Sequence, residues 1–211
     1  MKLLSIMMIL GASLRTATAF APTAFRPATA LAGTTSTRLA LFSKLFSTTK
    51  SEFPIKAEES VMSAKAHGTS EKPVQTNLRW SCDFETADRI CNFNRHYAEF
   101  AGYWQTTDFL KAVKEHSVAK KDEPIQFYDS VTGALLFTAP VGRSMEDFLV
   151  ESQKHGWPSF RDEETNWENV RCLRDGECVS TTGTHLGHNI PDQKNRYCIN
   201  LVSVAGEPVN E

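Results

Sequence analysis

Glu168-Asn169-Val170-Arg171-Cys172-Leu173 and Glu177-Cys178-Val179-Ser180-Thr181 are two short runs with apolar residues spaced through them, divided by Arg174 and the pair Asp175-Gly176. Asp-Gly between two such runs is a hairpin signal, because glycine tolerates the positive φ that a tight reversal needs. The pattern recurs on both sides. Upstream, Pro124 to Tyr128 and Ala134 to Ala139 flank a Thr132-Gly133 turn, and downstream Tyr197 to Val204 is another apolar run. Hairpins of this length predict antiparallel sheets and a mainly β domain over residues 121–208. One helix interrupts the strands: Met145 to His155 carries Phe148, Leu149 and Ser152, with Ser144 as its N-cap and Asp147 three residues on.

Ahead of the β pattern the periodicity changes. From Cys82 to Val118, Phe84, Ile90, Phe93, Tyr97, Phe100, Tyr103 and Trp104, then Phe109, Leu110 and Val113, recur at spacings of three, four and seven. That spacing predicts two helices broken near Ala101-Gly102, and so a helical N-terminal extension over residues 77–120. Cys82, Cys91, His96 and His116 fall in it. A Cys/His metal site there is weighed against, since Cys82 and Cys91 stand nine apart along a helix. Residues 52–76 are polar and contain Pro and Lys, and read as a flexible linker.

The leader is distinct in charge. The first acidic residue is Glu52, whereas Lys2, Arg15, Arg26, Arg38, Lys44 and Lys50 precede it. Lys2 with the apolar run Leu3 to Ala12 and the small residues Ala17-Thr18-Ala19 reads as a signal peptide over residues 1–19, too short to span a bilayer. Phe20-Ala21-Pro22 and a basic Ser/Thr/Ala-rich tract over residues 20–51 follow, so the leader resembles the bipartite plastid presequences of diatom-like algae. Plastid localisation is the expectation, with secretion as the alternative. Five cysteines without an evident disulfide framework suit a reducing compartment. Removing the six leader cations from 23 Lys and Arg leaves 17 against 25 Asp and Glu, a net charge of −8. That balance argues against nucleic-acid binding. No stable membrane span is expected in the mature chain, which is read as a monomer.

The chemistry collects near the end of the chain. His185-Leu186-Gly187-His188 is followed by Arg196-Tyr197-Cys198-Ile199-Asn200, which brings two histidines, a cysteine, an arginine and an amide into one short stretch. Histidine moves protons near neutral pH, and a thiol beside a cation becomes a nucleophile. Together they supply the two halves of thiol-based redox catalysis.

With Gly156-Trp157-Pro158-Ser159-Phe160 upstream, these motifs stand in the order that resembles the methionine-R-sulfoxide reductase B family, over roughly Pro124 to Pro208. The resemblance implies a β-tent, two antiparallel sheets leaning together. It implies that Cys198 is the nucleophile on the sulfoxide sulfur and becomes a sulfenic acid. His188 would be the general acid, with His185 and Asn200 holding the oxygen or its water. Trp157 would receive the methionine methyl group, with Phe160 beside it in the substrate pocket. Arg196 would favour the thiolate, and Asp192 would orient a histidine. Read without the resemblance, Trp157 suits a core, Arg196 a surface, His185 a turn cap, and Asn200 simply lies within an apolar run.

The chain departs from that family in three places. The two Cys-x-x-Cys pairs that hold structural zinc are absent, with Ser130, Gly133, Val179 and Thr182 at their positions, so no zinc is expected. His155 stands where a resolving cysteine often lies, which leaves Cys172 and Cys178 as candidates. If neither reaches Cys198, the reductant is external: thioredoxin, glutaredoxin or glutathione. The stretch from Asp192 to Arg196 is also short. The resulting expectation is an enzyme that reduces methionine-R-sulfoxide in oxidised proteins or peptides, without a cofactor. The alternative is a non-catalytic β-tent module that binds a ligand or partner through the Trp157 pocket.

Overall fold

In the computed structural model, which describes residues 53–120 and 123–209, the Thr132-Gly133 turn joins β1 (Ile125–Tyr128) to β2 (Leu135–Ala139). After them come β3 (Ser159–Phe160), β4 (Val170–Cys172), β5 (Glu177–Ser180), β6 (His185–Asn189) and β7 (Tyr197–Ile199). β1 and β2 form a two-stranded antiparallel sheet. The rest form a five-stranded antiparallel sheet in the order β3-β7-β6-β5-β4. The β-rich core of two antiparallel sheets therefore agrees with the turn grammar. The leader expectations fall on residues 1–51 and lie outside the described residues.

Aromatic packing joins the sheets. Phe160 on β3 stacks on Phe137 of β2 at 4.3 Å between ring centroids and meets Phe127 of β1 edge-on at 5.0 Å. Phe148 reaches the same ring at 5.4 Å from a helix, Met145–His155. Each such ring removes a large apolar area from water, and the offset and edge-on geometries add to that gain. Polar ties supplement them: Thr184 Oγ1 lies 3.0 Å from the Asp129 carboxylate, and Ser130 Oγ donates to the Val202 carbonyl at 2.6 Å.

Four α-helices occur among the described residues: α1 (Phe84–Asp88), α2 (Tyr103–Thr106), α3 (Phe109–Ala119) and α4 (Met145–His155). α4 has the expected cap, for Ser144 Oγ accepts the Asp147 N–H at 3.1 Å and the Asp147 carboxylate accepts the Ser144 N–H. Upstream the helical reading needs correction. α1 runs into a π turn at Arg89–Phe93, and residues 94–102 are irregular where a helix up to Ala101 was expected. Their backbone and side chains are spent on long-range bonds to the β domain, described below, and those override the local periodicity.

Residues 53–76 also differ from a free linker. Cys172 N donates to Ile55 O and Ala57 N to Cys172 O, so this segment runs along the outer edge of β4. Met62 packs with Leu173 and Val179, and Val74 joins the main core. No helix among the described residues is long and apolar enough to cross a membrane.

Candidate active site

Strand register decides which side chains meet. One row of directly paired residues across the large sheet runs Glu177, His188, Cys198 and Ser159. The next runs Cys172, Cys178, Gly187 and Ile199. Paired residues share a face, and neighbouring rows point to opposite faces. Cys198 and His188 are thus on one side of the sheet, and Cys172, Cys178 and Ile199 on the other, in the main core.

His185 lies three residues before His188, a spacing that places two side chains on opposite faces of a regular strand. A bulge corrects this. Val179 pairs with His185 and Cys178 with Gly187, which leaves Leu186 as the extra residue of β6. Leu186 turns into the core, and both histidines face one cavity, their ring centroids 5.9 Å apart. The bulge requires Gly187: with φ at +155°, a Cβ there would stand 2.1 Å from the Cys198 carbonyl oxygen.

The cavity is about 180 Å³, and Cys198, His185, His188, Trp157 and Asn200 all line it. Gly187 and Ile190 also line it, and the opposite wall comes from Arg95 to Ala98, upstream of every motif in the sequence. Five of the expected site residues are therefore brought together. Phe160 is not among them, because it is wholly buried in the aromatic core and cannot touch a substrate.

Cys198 is half-buried, and Arg196 Nη1 lies against its Sγ at 2.5 Å. Burial raises the thiol above its ordinary value, while the Arg196 charge and hydrogen bond pull it down without cancelling the rise. His188 is held below the usual histidine range by burial and then by the neighbouring His185. Asp192 does not orient a histidine. Its half-exposed carboxylate sits 3.9 Å from Arg196 Nε, at a polar cleft that it shares with Lys154 and His155.

The acid on the histidine is Glu177, which the sequence did not single out. Its Oε1 lies 2.7 Å from His185 Nδ1, and both side chains are buried. Arg95 grips the same carboxylate through Nε at 3.0 and 3.1 Å and through Nη2, and also pairs with Glu59. Burial pushes the Glu177 carboxyl up, but the hydrogen bonds from His185 and Arg95 outweigh it and hold the group below its ordinary value. Adjacent Glu177 and Cys178 on a hairpin strand, followed by a histidine strand, were the available signal. Its meaning depended on register.

Asn200 works through position. Its Oδ1 accepts the Glu99 N–H and its Nδ2 donates to the Leu186 carbonyl, both at 3.1 Å. Trp157 Nε1 donates to the Glu99 carbonyl at 3.1 Å, and the Glu99 carboxylate accepts the backbone N–H groups of Leu201 and Val202. Glu99 thus pins the Arg95–Ala98 wall to the indole and the amide beneath it.

The positions of the two zinc-binding pairs in the resembling family carry no thiolate. Ser130 and Thr182 make hydrogen bonds, Val179 is core, and Gly133 has no side chain, so these residues do not fit zinc. Among the described residues no cluster of three His, Cys, Asp or Glu side chains is placed to hold a metal, and Cys82, Cys91, His96 and His116 form no such group. Comparison with protein-family models and with curated proteins returns no match for this chain.

Proposed function

We propose that this chain reduces methionine-R-sulfoxide to methionine with Cys198 as nucleophile, its two sheets leaning together as a β-tent. The observation that carries the reading is one small cavity in which a thiol, two histidines and an indole converge from β7, β6 and the Trp157 segment. Such a cavity suits a methyl thioether bearing one polar oxygen.

In this reading the Cys198 thiolate attacks the sulfoxide sulfur while protonated His188 donates to the oxygen. The hydroxyl then passes to the Cys198 sulfur as the newly formed S–S bond breaks, so the S–O bond to methionine is lost, the thioether leaves with the S–S electron pair, and Cys198 carries the oxygen as a sulfenic acid. His185, fixed by Glu177, positions the oxygen. An external thiol then condenses with the sulfenic acid, releasing water and leaving a mixed disulfide. A second thiol returns Cys198 to its reduced form and leaves as part of a disulfide. Cys172 and Cys178 lie on the far face of the sheet, which supports a one-cysteine cycle fed by thioredoxin, glutaredoxin or glutathione. The leader supports action in a plastid, and nothing in the cycle needs a second subunit.

The test is reduction of blocked methionine sulfoxide epimers by the chain with dithiothreitol. Turnover of the R epimer alone, abolished by Cys198→Ser, is the expected result. Full activity in that variant would remove Cys198 as nucleophile. A non-catalytic binding module is the second reading, favoured by one observation, the net upward displacement of the Cys198 thiol. Labelling with a sulfenic-acid probe after exposure to methionine sulfoxide separates them, for a pure binding pocket leaves Cys198 unmodified.

A further inference from the structure

The far face of the sheet holds two more thiols that the proposed cycle does not use. Cys172 on β4 and Cys178 on β5 are directly opposed across the hairpin, with sulfurs 3.3 Å apart and both side chains fully buried. Their place in the ladder matters. Leu173 N donates to Glu177 O, which makes Leu173 and Glu177 a hydrogen-bonded pair, whereas Cys172 spends its N–H and C=O outward on Ile55 and Ala57. Cys172 and Cys178 are therefore a non-hydrogen-bonded pair, for which Cα atoms approach to about 4.5 Å. That separation lies inside the range a disulfide spans, and closing the sulfurs to about 2.05 Å needs side-chain movement only.

Cys198 cannot compete for either thiol. Between Cys178 and the Cys198 strand lies the whole of β6, so the strands are separated by two spacings of about 4.8 Å, and the side chains point to opposite faces. We propose that Cys172 and Cys178 are a dithiol–disulfide couple of their own, oxidised by thiol–disulfide exchange with a small disulfide.

The exchange balances. One thiolate attacks the small disulfide and displaces a thiol, giving a mixed disulfide. The second thiolate attacks the protein sulfur of that bond and displaces the other small thiol. Two protein S–H bonds become one S–S bond, and one oxidant disulfide becomes two thiols. Access comes from the edge. β4 is the last strand of the sheet, and Ile55–Ala57 is bonded along it through Cys172, so opening of this strap uncovers the pair. The bridge ties β4 to β5 at the residue next to Glu177, the carboxylate on His185. The proposal stands apart from the methionine sulfoxide reading, since neither sulfur lines the cavity.

The test uses the intact chain with oxidised glutathione, in buffer and in urea below the unfolding transition, followed by acid quenching, denaturation and alkylation of the remaining thiols. Trypsin cuts after Arg171 and Arg174, so a bridge is read as the peptide Cys172–Arg174 linked to Asp175–Lys194, with Cys198 in a separate peptide. The expected result is that linked pair, formed faster in urea, with native near-ultraviolet dichroism and a higher urea midpoint in the bridged protein. Alkylation of both Cys172 and Cys178 under every condition, a bridge from either to Cys198, or a bridged protein without native dichroism overturns the proposal.

Discussion

Two opposing influences meet at Cys198. Loss of water around the sulfur disfavours the thiolate, and the Arg196 guanidinium favours it. Deleting the charge while keeping the length, as in Arg196→Met, leaves only the first. The pH midpoint of Cys198 alkylation by iodoacetamide should then move upward, and at neutral pH the rate should fall; an unmoved midpoint would leave Arg196 with no part in activating the thiol. Glu177 acts on His185 in another way. A carboxylate accepts the Nδ1 proton, which leaves Nε2 bare in the neutral ring. Glu177→Gln can donate from its amide and release that tautomer. Nitrogen shifts of His185 in NMR spectra should report protonation at Nδ1 in the native chain and a changed ratio in the variant, whatever the activity does. The thiol, both histidines and the indole were legible in the sequence because each belongs to a motif. Glu177 and Arg95 were not, because the contact between them spans 82 residues and exists only once β5 and the extension are placed. Phe160 shows the opposite error, since membership in a motif said nothing of which way the ring turns.

Strands bounded by Asp-Gly and Thr-Gly turns, and a helix with a Ser144–Asp147 capping box, were read correctly because the signals are local. β6 is not among the strands that the turn signals mark, and Tyr197 to Val204 reads as one apolar run where β7 stops at Ile199 and Leu201–Ser203 turns. Both departures come from the site itself: the bulge at Leu186 hides the alternation of β6, and Leu201 and Val202 give their N–H groups to Glu99. The bulge makes a sharp prediction. Gly187→Ala forces a methyl group against the Cys198 carbonyl, whereas Gly142→Ala, also at positive φ, meets no atom within 4 Å. Gly142→Ala should cost only the backbone strain of roughly 1 kcal/mol, while Gly187→Ala should cost more and also displace β7 from β6. Urea unfolding of the two variants compares them directly, and equal losses would mean that β6 and β7 part without resistance.

Across the whole molecule residues 77–120 and the β domain are interdependent, and Glu99 is where that shows. Its carboxylate is almost wholly buried, and although two backbone N–H groups favour the charged form, burial dominates and pushes the carboxyl up to about 8. Net acidity and the change from helical to strand periodicity are visible in composition and pattern. A single carboxylate joining residues a hundred positions apart is not, because nothing local to Phe93–Gly102 signals it. The displacement has a sign. A folded-state value above the unfolded one of 4.5 means the folded chain holds a proton that the unfolded chain gives up. The contribution of this group is thus complete below that value, declines as pH rises, and is exhausted once pH passes about 8. Within the window the loss approaches roughly 1.4 kcal/mol per pH unit. Glu99→Gln is neutral throughout; it starts less stable, since its amide nitrogen cannot accept the N–H that the second carboxyl oxygen does, but it lacks this slope. Urea midpoints for both proteins between about pH 5 and about pH 8 should therefore converge as pH rises. Parallel curves would mean that Glu99 is already ionised in the folded chain, held so by the N–H groups of Leu201 and Val202.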